Sequence, residues 1–335
     1  LYEILVTPES KRELSYWLEK LSLALSPHEG AIKAENNLRP MPYCIVMGGP
    51  SGCGKTTLVR YIASMILLLS GECTPENALE NLWQKGTTEY WNGYIGQKCL
   101  VFDDCFQVKG KPGDSDSEAM QFIRAVGNWS MPLNFADLAN KGKIYMDSPL
   151  IVGTTNCANI AAEWAPFITE PKALVRRFQG AFWVELDDRF KDQDGRFDFK
   201  RVNQEFSAAI LRMKAKLGSG TPTSIDMLDC IPWHVWKIHK HGFDRETISD
   251  ELVPGGLRAI VETAAREIVS RKADNRRDTD EMREMLSAIA KAMTNESEIQ
   301  PDGNGATSDD DEGVELQAHQ CHAVSATCWY ELTSR

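Results

Sequence analysis

Gly49-Pro50-Ser51-Gly52-Cys53-Gly54-Lys55-Thr56 fits G-x-x-x-x-G-K-[ST], a loop built to hold phosphate. Its glycines let backbone N–H groups wrap an anion, and Lys55 reaches the β- and γ-phosphate oxygens. Thr56, followed by Thr57, offers a hydroxyl to Mg²⁺, and the helix that follows turns its positive end to the same anion. Further on, Asp103-Asp104 closes a hydrophobic run. One carboxylate of such a pair suits the Mg²⁺ shell and the other polarises an attacking water. Alone, an acidic pair after a strand reads as turn residues. Behind a phosphate loop it reads as a metal site, with Thr56 and Asp103 as ligands. Asn156 ends another apolar run after Thr154-Thr155. With the strands adjacent it stands beside the carboxylates, where it orients the lytic water or senses the γ-phosphate; a turn Asn is the plainer alternative. Arg176-Arg177 precedes a further run. A guanidinium lent across a subunit boundary stabilises transition-state charge, against the alternative of a solvated basic pair.

These residues need elements to hold them. Tyr43–Met47, Lys98–Phe102, Pro149–Gly153 and Ala181–Leu186 are short apolar runs that read as buried strands. Lys55–Leu69 and Ser117–Val126 read as helices between them. Alternating strands and helices predict an α/β fold, a three-layer core with a mainly parallel sheet. Leu14, Trp17, Leu18, Leu21 and Leu25 mark an amphipathic helix over residues 8–25. Beyond Asn203 the texture changes, and Leu257–Lys272 and Thr279–Met293 read as two amphipathic helices. The expected organisation is an N-terminal helical segment over 1–40, an NTPase core over 41–200, a helical C-terminal region over 201–300, and an acidic flexible linker and tail over 301–335. Cys230, His234, His239 and His241, like Cys321, His322 and Cys328, carry ligand chemistry without a usual zinc spacing.

Taken in order, these elements resemble the superfamily 3 helicases of picorna-like positive-strand RNA viruses, a branch of the AAA+ ATPases. Tyr90-Trp91-Asn92-Gly93-Tyr94-Ile95-Gly96-Gln97 is similar to a segment that precedes the acidic pair there, with Asn92 in place of the family's Asp. Leu138–Ser148, with Lys141-Gly142-Lys143, resembles the family's extra motif, and Ala173–Phe178 its arginine-finger segment. The resemblance covers about residues 40 to 190. It implies an AAA+-like P-loop NTPase that binds ATP through Gly49, Pro50, Ser51, Gly52, Cys53, Gly54, Lys55, Thr56 and Thr57. Mg²⁺ would sit on Thr56 and Asp103. Asp103, Asp104 and Asn156 would be catalytic, Arg176 or Arg177 the finger, and Lys141 and Lys143 the lining of a nucleic-acid channel. It further implies single-stranded or structured RNA as partner, a homo-oligomeric, hexameric ring, and other viral replication proteins as neighbours. The alternatives are an AAA+ ATPase that remodels proteins and an RNA-binding scaffold of a replication complex.

The 335 residues suggest about two domains and a sizeable core, with 42% hydrophobic and 25% charged residues. The net charge of −11 gives no bulk reason for nucleic-acid binding. Six acidic residues and no Lys or Arg fall between Pro301 and Gln320, however, so a local basic channel survives elsewhere. Nine scattered cysteines favour free thiols in a reducing compartment. The expected location is the host cytoplasm, at membrane-associated replication complexes only through regions outside this chain. By the same resemblance, Glu315-Leu316-Gln317-Ala318 reads as a site for a viral cysteine protease, releasing Ala318–Arg335. A start at Leu1 reads as a segment of a longer precursor.

Overall fold

The computed structural model describes residues 38–107, 113, 117–137, 140–221 and 223–297. The helix expected over 8–25, the tail with its Gln317–Ala318 bond, and Cys321, His322 and Cys328 lie outside these residues. The chain forms two units, one ending at Glu281 and one beginning at Met282.

The first unit is an α/β core. Strand β1 (Tyr43–Gly48) leads through the phosphate loop into α1 (Lys55–Leu69). Then come β2 (Leu82–Gln84), β3 (Cys99–Phe102), α2 (Glu118–Val126), β4 (Leu150–Thr155), short helices α3 (Ile160–Trp164) and α4 (Lys172–Val175), and β5 (Gly180–Leu186). Helix α5 (Phe199–Ser219), α6 (Ser224–Leu228), β6 (Trp236–Lys240) and α7 (Gly256–Ser297) follow. The strands lie in the order β2-β3-β4-β1-β5-β6. All neighbours are parallel except β5 and β6, which run antiparallel.

Strand β1 is central and buried on both faces, as the continuous run of apolar residues requires. Tyr43, Ile45 and Met47 face one core with Leu58, Ile62 and Ile66 of α1 and Ile260, Ala264 and Ile268 of α7. Cys44 and Val46 face the other, with Phe122 of α2, Ile160 and Trp164 of α3, and Leu174 of α4. A sheet covered on both sides is the predicted three-layer arrangement.

Two expectations for the C-terminal region need correction. It is not wholly helical, because β6 joins the sheet edge; Trp236 and Ile238 are buried while Lys237 points out, the alternation of a strand. The two expected helices are one, α7. Its polar stretch around Asp274–Asp278 has no Gly or Pro to stop it, and Arg277 pairs with Asp274 at 3.1 Å and with Glu281 at 3.8 Å, supporting continuation. In the second unit the helix exposes Met282, Met285, Leu286 and Ile289 along one face.

Candidate functional site

The carboxyl ends of β1, β3 and β4 lie side by side, since Gly48 pairs with Thr155 and Phe102 with Gly153. That brings the phosphate loop, the acidic pair and Asn156 together at the crevice where open α/β sheets bind ligands. The loop is tied down at its start, where the Gly49 N–H donates to the Thr155 carbonyl at 3.1 Å. Glycine is required at Gly54, where φ is +82° and an added Cβ would fall 2.4 Å from the Phe197 ring.

Lys55 is 7% exposed, and its Nζ donates to the carbonyls of Gly49 (2.9 Å) and Pro50 (3.0 Å) and to Asn156 Oδ1 (2.7 Å). All three of its N–H donors are used, as a buried ammonium demands. Asn156 Nδ2 reaches Asp104 Oδ1 at 3.4 Å, which links the loop lysine to the acidic pair. Thr56 Oγ1 donates toward both oxygens of Asp103, each at 3.2 Å. These hard oxygen donors are the chemistry of a Mg²⁺ ligand set.

Thr154 is the neighbour whose role the sequence did not disclose. It is fully buried on β4, donates its hydroxyl to Asp103 Oδ1 at 2.7 Å, and accepts the Asp104 N–H at 2.8 Å. Asp104 can therefore take a φ of +51°, a conformation Asp tolerates better than most residues. Two residues on, Phe106 has a φ of +67°, a strained value for a bulky side chain, of order 1–3 kcal/mol. The surroundings hold it: Phe106 donates its N–H to Glu118 Oε2 (2.7 Å) and accepts from the Trp164 indole (3.2 Å). Burial pushes the Glu118 carboxyl up from its ordinary value, opposed by that N–H and by Lys85.

A cavity of about 480 Å³ opens over the loop. Ser51, Gly52, Gly54, Lys55, Thr56, Thr57, Asp104 and Asn156 line it, together with Asp192, Arg196, Phe197 and Phe199. The last four escaped the sequence reading; the one signal was a turn-rich Asp192-Gln193-Asp194-Gly195 stretch. Cys53 contributes no side chain to the cavity. Its thiol is buried toward the Val184 carbonyl at 3.8 Å, and burial pushes it up from its ordinary value.

Other expected residues lie apart. Arg176 is exposed just after α4. Arg177 turns back to donate to the Ala173 carbonyl, and burial and Arg176 lower its guanidinium from the ordinary value. Neither lines the cavity over the phosphate loop. Lys141 and Lys143 flank Gly142 (φ +73°) on an exposed turn, where the Lys141 N–H donates to Asp137 and the Lys143 N–H to Asn140. Cys230, His234, His239 and His241 do not converge: Cys230 Sγ donates to the Asp226 carbonyl, His234 packs on Phe190, His239 Nδ1 meets the Ser249 carbonyl, and His241 Nε2 meets that of Ala158. Among the described residues no group of three or more His, Cys, Asp or Glu could hold a metal ion.

Residues 45–157 match the RNA helicase family model, and the match runs from β1 to Asn156. This segment is thus similar to the RNA helicase family. Proteins similar to the chain include viral polyproteins. The chain is 31% identical to the replicase polyprotein of Drosophila C virus over 42% of this chain and 8% of that protein. It is 29% identical to the genome polyprotein of Human rhinovirus 16 over 49% and 7%. The RNA1 polyprotein of Grapevine fanleaf virus is 32% identical over 44% and 6%. The chain thus matches under a tenth of the length of these relatives. The acidic pair, Thr154 and Asn156 all fall within the matched segment, whereas Arg176, Arg177 and the Asp192–Phe199 wall of the cavity lie beyond it.

Proposed function

We propose that the protein is a viral superfamily 3 helicase that hydrolyses ATP with Mg²⁺ to translocate on or remodel viral RNA during genome replication. The observation that carries this reading is the bonded chain Lys55–Asn156–Asp104 beside Thr56–Asp103–Thr154, set at the mouth of a phosphate loop. Lys55 gives up a carbonyl or Asn156 to meet the terminal phosphates, and the N–H groups of the loop and of the first turn of α1 orient them. Thr56 and Asp103 are the residues that would hold Mg²⁺, which when bound neutralises charge between the phosphates. Asp104 and Asn156 then orient the attacking water in line. Freed from Lys55, Asn156 reports whether the γ-phosphate is present.

Arg176 or Arg177 acts on the site of an adjacent subunit in a homo-oligomeric, hexameric ring. Their absence from the lining of the cavity over the loop and the apolar face of Met282, Met285, Leu286 and Ile289 support that reading. Lys141 and Lys143 meet the RNA backbone, which their exposed turn makes sterically open. The chain works as a polyprotein product in the host cytoplasm beside other replication proteins, and a viral cysteine protease releases it. Among the described residues no helix is long and apolar enough to cross a membrane.

Steady-state ATP hydrolysis with and without single-stranded RNA tests the reading. Turnover is expected to rise with RNA and to vanish in Lys55→Ala, and Lys141→Ala/Lys143→Ala should lose only the stimulation. Lys55-dependent turnover indifferent to RNA would favour a protein-remodelling ATPase. No turnover from assembled protein would leave an RNA-binding scaffold.

A further inference from the structure

The 480 Å³ cavity has two chemically distinct ends. At one, Lys55, Asn156 and Asp104 bond to one another, and the terminal phosphate belongs there. At the other, the Arg196–Phe197 turn lies against the loop glycines: Phe197 donates its N–H to the Gly52 carbonyl at 2.9 Å, and the Arg196 stem lies over Gly52. A triphosphate laid across the loop therefore directs whatever it carries toward Arg196 and Phe199.

Phe199 is 65% exposed, an uneconomical place for a large apolar ring unless something covers it. The ring is nonetheless held firmly. It stands edge-on to Phe197 (4.9 Å, 77°), which stacks on Trp236 (5.9 Å, 22°), and the Trp236 indole donates to the Cys53 carbonyl at 3.0 Å. Below it the Asp198 carboxylate caps α5 by accepting the N–H groups of Lys200 (3.0 Å) and Arg201 (3.1 Å), which fixes the backbone of Phe199. An aromatic ladder thus runs from the phosphate loop to an open face. Beside it the Arg196 guanidinium has no carboxylate partner among the described residues, while the Arg196 backbone N–H donates to Asp192 Oδ1 at 2.8 Å. A fixed aromatic face, an unpaired cation and a phosphate loop in one cavity fit a nucleoside phosphate better than an inorganic one.

We propose that Phe199 is the stacking platform for the base of the bound nucleoside triphosphate, with Arg196 closing the same end. This inference rests on the nucleotide reading above. Stacking uses the π-face that every base has, so the platform sets affinity for the nucleoside without reading its hydrogen-bonding edge.

Calorimetric titration of the full chain with ATP and with inorganic tripolyphosphate, both with Mg²⁺, tests it. Phe199 is exposed at the start of its helix, so Phe199→Ala has little reason to unfold the protein. The variant is expected to bind ATP about tenfold more weakly, the effect of losing one base–aromatic stack. Tripolyphosphate should bind as in the wild type, and Phe199→Trp should restore ATP binding. Undiminished ATP affinity in Phe199→Ala overturns the platform, as does an equal loss for both ligands, which would mark a distorted loop. If Lys55→Ala weakens neither ligand, the nucleotide reading itself falls and the platform with it.

Discussion

Thr154 serves both acidic residues at once, orienting Asp103 through its hydroxyl hydrogen and holding the Asp104 backbone through its oxygen. Thr154→Val keeps the shape of the β-branched side chain but removes both bonds, leaving Asp103 to Thr56 alone and the Asp104 N–H without its acceptor. Residues that orient metal ligands are worth 10- to 100-fold in activity or metal affinity. We therefore expect ATP turnover to fall by about 10- to 100-fold and the Mg²⁺ requirement to rise, both read by titrating Mg²⁺ at saturating ATP. Unchanged Mg²⁺ dependence would show that the hydroxyl is structural only. Lys55, Thr56, Asp103, Asp104 and Asn156 were legible in the sequence because each sits in a recognisable spacing or at the end of an apolar run. The roles of Thr154 and Phe199 were not. Thr154 reads as one more β-branched strand residue until the β3–β4 register sets it beside Asp103. Phe199 reads as a helix start until the turn before it folds back over Gly52.

At the scale of elements, helix α2 begins with Glu118, whose carboxylate accepts the N–H of the strained Phe106 turn. Burial raises the Glu118 carboxyl above its ordinary value of 4.5. Between that value and the raised one, the folded chain holds a proton that the unfolded chain has released. Stability from this group is thus intact below about pH 4.5 and declines as pH rises through the folded value. Glu118→Gln can still accept the Phe106 N–H and removes the titration. Urea denaturation from pH 4.5 to 7.5 should show the stability difference moving in favour of Glu118→Gln as pH rises; a constant difference would deny the linkage. The main strands and α1 were readable because buried parallel strands are unbroken apolar runs. Strand β6 was not, since Trp236-Lys237-Ile238-His239-Lys240 is short and half polar, and only pairing with β5 makes it a strand. The join across Asp274–Asp278 was hidden for the opposite reason, because a helix can persist on propensity and ion pairs where its apolar stripe fades.

At the scale of the whole molecule, the proposed arginine finger between subunits predicts complementation. Lys55→Ala protein keeps its arginines, and Arg176→Ala/Arg177→Ala protein keeps its phosphate loop. Mixing the two should give more ATP turnover than the separate proteins together, and strict additivity would place the arginines outside the neighbouring site. One feature of the sheet also bears on how such a protein can be taken apart. Strand β1 is paired on one side with β4, inside the matched helicase segment, and on the other with β5, beyond it. Trp236, farther on again, grips the loop at Cys53. A fragment cut at 45 and 157 would carry the sequence motifs yet leave its central strand a bare edge, open to pairing with other chains. The smallest piece that can be expressed alone with its loop supported therefore runs from β1 past β6 into α7, whose Ile260, Ala264 and Ile268 close the core against β1. The boundaries of the recognisable motif are narrower than those of the packed unit that holds it.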